Sequence, residues 1–388
     1  MAGRHAPSRL WGGIERLLLR YFLDHVAPIC GILQQDGTRF SSILLPMAFV
    51  DTSLLHALFS YASAHLSHFD ASSGPTIPVT PQARLEFESQ VTSGIAEAIT
   101  KNAVSETTVA SALLISTAEV IGGDTSRWLV HLEGAGHLIN HLGPSKLLKT
   151  TDGAFLLRYF AYHDMMASLS TRRRTIVDGA YWVQDFNAAV RSPDSFVGLG
   201  HHIFRHLAAA CDFIVDTIDI DLSYSADRRA QEILRAEDMA QALRLQDLHI
   251  QVDPADSHTD ALIHHAEAFR FAILFYLYRH LLRFSDTDAI YRLRMKDCVG
   301  RILHHVAQVR SNLCLEIGLL FPLFMAGIGC TDDADGREYV KDRLTCIETW
   351  TKFRHVARAR ELLQMLWDSG RTDWEVMLQE LGWTLSLA

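Results

Sequence analysis

The sequence has 388 residues, of which 48% are hydrophobic and 21% are charged, a balance typical of folded globular proteins. Its formal net charge of −9 argues against a broad basic face for nucleic acid, because phosphate contacts are made mainly by lysine and arginine. Residues 1–10 lack the apolar core of a secretory signal, and no stretch is long and apolar enough to span a membrane.

Apolar residues at helical spacing recur from residue 14 to the end of the chain, and no segment alternates as a strand would. We therefore predict an all-α fold, a single large domain of about a dozen helices that follows a short tail of residues 1–13. The predicted helices lie near residues 14–26, 54–69, 80–101, 105–122, 126–142, 152–170, 201–216, 226–249, 259–284, 286–310, 316–329, 332–350, 353–368 and 372–385.

Several residues mark the expected helix boundaries. Pro46 interrupts the short apolar piece 41–50, and Pro322 predicts a break or kink within 316–329. Gly143 is a typical helix end. Thr372 and Glu375 have the spacing of a capping box, in which each side chain binds the backbone of the other residue.

One stretch is expected to lie at the centre of the fold. Residues 266–284 read AEAFRFAILFYLYRHLLRF, and every position from Phe271 to Tyr278 is apolar or aromatic. A helix that is apolar all round lies either in a membrane or in a large core, and Arg279 ends the run after only eight residues. We therefore predict a buried central helix.

The longest irregular segment is predicted at about residues 171–200. It begins with three consecutive arginines, Arg172 to Arg174, and contains Pro193 and several glycines. A run of three basic residues suits a phosphate contact or a weak import signal, but a solvated loop is the simpler interpretation.

The sequence predicts no metal site. His137 and His141 are one helical turn apart, as are His202 and His206, but neither pair has the glutamate of a zinc-protease motif or an evident third ligand. Residues 331–342 resemble a calcium loop only faintly, and we interpret them as an acidic helix start. The six cysteines lack zinc-site spacing and are predicted to be buried free thiols.

No catalytic motif is evident, and no cofactor is predicted. His163 and Asp164 suit a metal phosphohydrolase only with further ligands, so a polar pair that ties helices together is the favoured interpretation. Together with His131, they are the predicted polar anchors of any ligand site. Their convergence with Glu133 in one enclosed pocket would favour catalysis.

Aromatic and methionine side chains suggest a hydrophobic ligand pocket, because small-molecule sites are mostly apolar. Plain core packing is the alternative for the same residues. The predicted lining residues are Phe271, Phe275, Tyr278, Phe321, Phe324 and Met325.

The order of seven segments resembles one known family. The segments include LLLRYFLDHVAPI at 17–29, RWLVHLEGAGHLINHLG at 127–143, AEAFRFAILFYLYRHLL at 266–282 and FPLFMAGIG at 321–329. In this order they resemble the regulatory domain of fungal zinc-cluster transcription factors, the fungal-specific transcription factor domain. The resemblance covers residues 14–388.

The resemblance implies an all-helical, non-enzymatic regulatory domain that acts in the nucleus, in which a hydrophobic effector such as a sterol or a partner protein controls activity. It also implies transcription machinery or a zinc-cluster factor as partners, and a homodimer. The closely spaced cysteines of a zinc cluster are missing, so we expect no direct DNA binding by this chain. The alternative is a stand-alone protein on this fold, either a transcriptional cofactor or an enzyme with an internal apolar pocket.

Overall fold

A computed structural model describes residues 12–33, 36–68, 79–177, 193–248, 259–285, 288–311 and 313–388. Across these ranges the regular structure consists of seventeen α-helices with short π- and 3-10 turns, and the only strand-like pairing is the bridge between Asp194 and Gly198. The all-α prediction is confirmed. The helices outnumber the predicted dozen partly because two single-turn helices were not expected.

The helices fall into two compact units. Unit 1 comprises the chain up to Phe160 together with Lys352–Arg354, and unit 2 comprises Ala161–Thr351 and His355–Ala388. The organisation into one domain from residue 14 onward stays a prediction. The helices of the first half are α1 Gly13–Tyr21, α2 Asp36–Val50, α3 Thr52–Leu66, α4 Pro81–Thr100, α5 Glu106–Ile121, α6 Arg127–Leu142, α7 Pro144–Leu147 and α8 Thr151–Thr171.

The remaining helices follow in chain order. They are α9 His201–Asp216, α10 Ala226–Leu245, α11 Thr259–Leu281, α12 Asp288–Gln308, α13 Cys314–Ile317, α14 Leu320–Gly329, α15 Ala334–Thr351, α16 Arg354–Ser369 and α17 Trp374–Leu381. None of the helices in the described ranges is long and apolar enough to cross a lipid bilayer.

The core of unit 1 is built around α5, which the sequence did not single out. Every residue from Thr108 to Ile121 is buried. Many of these residues are alanine, serine and threonine, and small side chains let neighbouring helices pack closely on all sides. Some polar members bond within the helix, as where the Thr117 hydroxyl donates to the Leu113 carbonyl at 2.9 Å.

The core of unit 2 is built around α11, and the predicted burial of this helix is confirmed. Fifteen of its residues are buried, including Phe275 and Tyr278. An arginine of this helix binds the end of another helix. The Arg270 guanidinium donates to the carbonyls of Arg244 at 3.1 Å and Gln246 at 2.6 Å, at the C-terminus of α10. These carbonyls lack intrahelical partners, so a buried cation stabilises them.

Proline acts differently at its two predicted break points. Helix α2 runs through Pro46 without interruption, so the predicted interruption is wrong. Its apolar face explains the continuity, because Phe40, Leu44 and Met47 recur at helical spacing and are buried. The predicted break near Pro322 is confirmed, but it falls before the proline, between the end of α13 and the start of α14.

The predicted capping box at the start of α17 is wrong. Asp373 is the N-cap residue and makes no side-chain cap bond. The Glu375 carboxylate instead accepts two hydrogen bonds from Arg279 of α11, at 2.6 and 2.7 Å. A buried ion pair with two charge-assisted bonds outcompetes a single cap bond.

The predicted irregular segment lies partly outside the described residues, since residues 178–192 are not described. The flanking residues 172–177 and 193–200 are not helical, as expected. All six cysteines are free thiols. Three of them are buried, but Cys346 is exposed, which corrects the prediction that all would be buried.

Candidate functional site

An open groove of about 490 Å³ lies in unit 2 between α11, α12 and the end of α14. Its apolar lining comes from all three helices: Phe275, Leu282, Met295, Val299, Leu303 and Ile328. Its polar lining is Arg279, Arg292, Lys296, Thr331, Asp332, Asp333 and Thr372, and Gly300 and Gly329 complete it. A concave site with an apolar lining and a few polar groups has the composition of a small-molecule site.

The floor of the groove depends on Gly329 at the end of α14. A Cβ placed there would lie 2.8 Å from Cε2 of Phe275 and would collide with a methyl group of Val299. Only glycine therefore lets α14 approach α11 and α12 this closely. The close approach positions Phe275 and Val299 side by side at the base of the groove.

Gly300 on α12 keeps one wall of the groove open. A Cβ added at this position would meet no heavy atom within 4 Å. Glycine within a helix costs about 1 kcal/mol relative to alanine, and no steric need compels it here. The missing side chain leaves space beside the groove.

The rim of the groove carries both charge signs, but most charges are already paired. The Arg279 guanidinium binds Glu375, and Arg292 binds the Asp288 carboxylate at 3.0 Å. Asp333 accepts the Gly336 N–H at 3.0 Å, which confirms the acidic helix start predicted there. Within the described part of the chain, Lys296 has no ion-pair partner.

One of the six predicted apolar site residues, Phe275, lines the groove. On the same helix, Phe271 stacks on His305 with centroids 5.8 Å apart. The guanidinium groups of Arg244 and Arg294 lie 5.6 and 5.4 Å from the centroid of the Tyr278 ring. A ligand site at these residues stays a prediction.

The other three predicted apolar residues belong to α14 and are fully buried. Phe321 contacts Phe269 at a centroid distance of 5.8 Å. Phe324 meets Trp374 edge to face at 5.2 Å. Met325 is 0% exposed. Each of the three has the surroundings of a core residue.

The predicted polar anchors belong to different units, since His131 lies in unit 1 and the His163–Asp164 pair in unit 2. Asp164 is 1% exposed and ties α8 to the segment that follows it. Its carboxylate pairs with Arg173 at 2.8 Å and accepts the Ile176 N–H at 2.6 Å. This arrangement matches the structural role favoured from the sequence.

Burial controls the protonation of these anchors. Burial raises the pKa of Asp164 above its usual value, although the Arg173 charge opposes the shift. Burial lowers the pKa of His163 to about 3, and it also lowers the pKa of His131. With a pKa of about 3, the His163 imidazole is neutral at physiological pH.

Among the described residues, no three histidine, cysteine or acidic side chains are grouped so that they would hold a metal ion. Two histidines form a pair between helices: His264 of α11 and His305 of α12 have their Nδ1 atoms 2.8 Å apart. At this distance one imidazole donates a hydrogen bond to the other. Burial and the neighbouring His264 lower the pKa of His305 to about 4.

Comparison with known proteins decides the family. The family model for the fungal specific transcription factor domain matches residues 16–388, across both units. The chain belongs to this family. It is 24% identical over 386 residues to an uncharacterized transcriptional regulatory protein of Schizosaccharomyces pombe, covering 94% of this chain and 70% of the relative. No solved structure matches the chain.

For this fungal specific transcription factor domain, sequence reasoning missed most of the groove. Met295, Val299 and Leu303 recur every four residues on α12, a spacing that marks one helix face. That face was detectable, but the sequence does not distinguish a face that lines a groove from one that fills a core. Leu282 and Ile328 join the groove only through the packing of α11 and α14.

Proposed function

We propose that the chain is a non-enzymatic regulatory module of transcription that holds a hydrophobic small-molecule effector in the groove of unit 2. It acts in the nucleus through transcription machinery or a zinc-cluster factor. Family membership supports the transcriptional role. The effector role is supported by one observation, the open groove of about 490 Å³ with an apolar floor.

The groove has the size and chemistry for such a ligand. Its volume falls within the range of about 300–1,000 Å³ found for small-molecule sites. Removing apolar surface from water contributes about 25 cal/mol per Å², so a ligand that covers about 100 Å² of the floor gains about 2.5 kcal/mol before the costs of binding. The polar rim orients the ligand.

The position of the groove would let a bound effector change how the helices of unit 2 pack. The groove is bounded by α11, the buried centre of unit 2, and by the junction of α14 with α15. A bound molecule stabilises the arrangement of these helices that it contacts, by an amount set by its affinity and concentration. A shift between arrangements is how the effector would change the surfaces offered to partners.

Effector retention is tested by native mass spectrometry of the purified chain, followed by thermal unfolding with candidate sterols and other apolar molecules. We expect a retained lipid-like mass, or a rise in Tm with one compound class. The variant Met295→Trp fills the groove and should abolish either signal. The matched control is Met365→Trp, at a half-buried methionine of α16 outside the groove, which should preserve it.

Phe275→Ala adds a second arm to this experiment. The variant should weaken effector retention by more than its loss of stability explains. Equal losses of both, or retention unchanged in Met295→Trp, would contradict the groove as the binding site.

The transcriptional role is tested separately. The chain is fused to a heterologous DNA-binding domain and its effect on a reporter gene is measured. We expect a change in reporter output that depends on the fused chain. An unchanged reporter together with an intact effector signal would contradict the regulatory role while leaving the binding site in place.

A further inference from the structure

Each of the three arginines that follow α8 binds a carboxylate on a different helix of unit 2. The pairs are Arg172 with Glu375 of α17 at 3.3 Å, Arg173 with Asp164 of α8 at 2.8 Å, and Arg174 with Asp216 of α9. The backbone of Arg172 is left-handed, with a φ of +49°, a conformation that residues other than glycine rarely adopt. Such a turn persists where its surroundings hold it in place. The arginine run is therefore an anchored loop.

Thr175 comes directly after this run, at a non-helical and half-buried position. Its hydroxyl forms no hydrogen bond within the described part of the chain. Other hydroxyls nearby are used within α8. The Ser168 hydroxyl donates to the Asp164 carbonyl at 2.8 Å, and the Thr171 hydroxyl donates to the Ala167 carbonyl at 2.7 Å. The Thr175 hydroxyl thus has no bond to break before it reacts.

The residues around Thr175 form a pattern that an acidic enzyme groove can recognise. Arg173 and Arg172 stand two and three residues before the hydroxyl, and the apolar Ile176 follows it. A carboxylate binds a guanidinium group through two parallel hydrogen bonds, so an acidic groove selects arginine by geometry as well as by charge. Protein kinases select their substrates by such charge patterns.

We propose that Thr175 is a phosphorylation site for a basophilic kinase, one that selects hydroxyls preceded by arginine, and that the modification releases the loop from Asp164. The Thr175 Oγ1 forms a bond to the γ-phosphorus of ATP. The bond between that phosphorus and the β–γ bridging oxygen breaks, and ADP leaves. The hydroxyl proton passes to the catalytic carboxylate of the kinase.

The added phosphate acts on the buried end of the loop. It carries a charge of about −1.5 to −2 and is two residues from Arg173, so it competes with Asp164 for that guanidinium group. Asp164 is 1% exposed, and its carboxylate also accepts the Ile176 N–H, one residue from the phosphate. Repulsion by the phosphate and loss of the arginine both disfavour the anchored arrangement. The modified loop therefore detaches.

The same ion pairs limit access by the kinase. The kinase binds the arginines only after they leave their carboxylates, so the rate of phosphorylation depends on how often the loop opens. Loosening the anchor while keeping the basic run should therefore speed the reaction. Removing an arginine that the kinase binds should slow it, even though an anchoring pair is lost as well.

Incubation of the full chain with a purified basophilic kinase and Mg²⁺-ATP tests the site, with mass spectrometry to locate the phosphate. We expect modification at Thr175 and none there in Thr175→Ala. The matched control is Thr171→Ala, which removes a nearby hydroxyl that α8 already uses and should leave the modification of Thr175 intact. An acidophilic kinase should leave Thr175 unmodified.

Two variants separate access from recognition. Asp164→Asn weakens the anchor and should raise the rate about threefold or more. Arg172→Gln should lower the rate by about tenfold or more, because the kinase loses a charge-assisted contact. Thermal unfolding checks that both variants are folded.

Hydrogen exchange at single residues tests the release. The Ile176 and Val177 amides, which Asp164 binds, should exchange about tenfold faster or more after phosphorylation. The matched control is the Phe196 and Val197 pair of amides, which Asp194 binds in the same way and which should exchange at an unchanged rate.

Three results would overturn the proposal: no phosphate at Thr175 in either the unchanged chain or Asp164→Asn, a rate unaffected by Arg172→Gln, or unchanged exchange at Ile176 after phosphorylation. Thr175 does not line the groove of unit 2, so none of these results bears on effector binding.

Discussion

Arg279 and Glu375 form a buried ion pair that joins α11 to α17, with two hydrogen bonds of 2.6 and 2.7 Å. The Glu375 side chain is 3% exposed and that of Arg279 is 16% exposed. Burial alone would raise the pKa of Glu375, but the charge and hydrogen bonds of Arg279 outweigh it and hold the pKa below its usual value. The pair therefore fixes the last helix against the central one.

Arg279→Met should destabilise the chain by about 3–5 kcal/mol, because it leaves a carboxylate buried without its main partner. Urea unfolding measures the change. The double variant Arg279→Met, Glu375→Leu should be less destabilised than Arg279→Met alone, since it removes the stranded charge. Equal losses in the single and double variants would show that the charge itself contributes nothing.

Acid should unfold the chain through its buried histidines. Burial lowers the pKa values of His163, His265 and His280 to about 3, from an ordinary value of 6.5. Between these values the unfolded chain binds protons that the folded chain does not, so stability falls as the pH falls below 6.5. Three such groups give a slope of about 4 kcal/mol per pH unit.

Chemical denaturation between pH 7.5 and 4.5 measures this slope. His265, which is fully buried against Phe269 at a centroid distance of 5.1 Å, offers a direct check. His265→Phe keeps an aromatic ring at the site and should reduce the slope by about 1.4 kcal/mol per pH unit. A slope unchanged by this variant would mean that other groups cause the acid sensitivity.

Asp164 should control the segment that follows α8. Its carboxylate accepts the N–H groups of Ile176 and Val177, at 2.6 and 3.3 Å, and pairs with Arg173. Asp164→Asn should cost about 1–3 kcal/mol and should speed tryptic cleavage in the Arg172–Arg174 run. Limited proteolysis with mass spectrometry locates the cut.

Asp212→Asn is the matched control for this prediction. It removes an exposed contact of 3.5 Å to Arg174 and should leave the cleavage rate nearly unchanged. Equal acceleration by both variants would mean that any loss of charge near the arginines loosens the segment.

The two glycines of the groove should respond oppositely to alanine. Gly329→Ala forces a methyl group against Phe275 and Val299 and should destabilise the chain by about 1–3 kcal/mol. Gly300→Ala meets no neighbour and should stabilise it by about 0.5–1 kcal/mol through helix propensity. Thermal unfolding of both variants compares the signs, and a loss at both positions would show that Gly300 is also packed.

The sequence by itself determined the helical class and the burial of the central helix. Both follow from local patterns: the spacing of apolar residues defines each helix face, and the uninterrupted run Phe271–Tyr278 leaves no polar side for water. The same patterns located the end of α6, where Gly143 adopts a φ of +86°. The ordered segments also carried the family resemblance that the family model confirms.

Only the tertiary structure decided how polar and small residues are used. Glu375 has the spacing of a helix cap, but Arg279, 96 positions away in the chain, provides a stronger partner. The small residues of α5 gave little apolar signal, although their size lets that helix be buried on every side. The groove likewise depends on the approach of three helices at Gly329, a steric relationship between distant residues that no local pattern encodes.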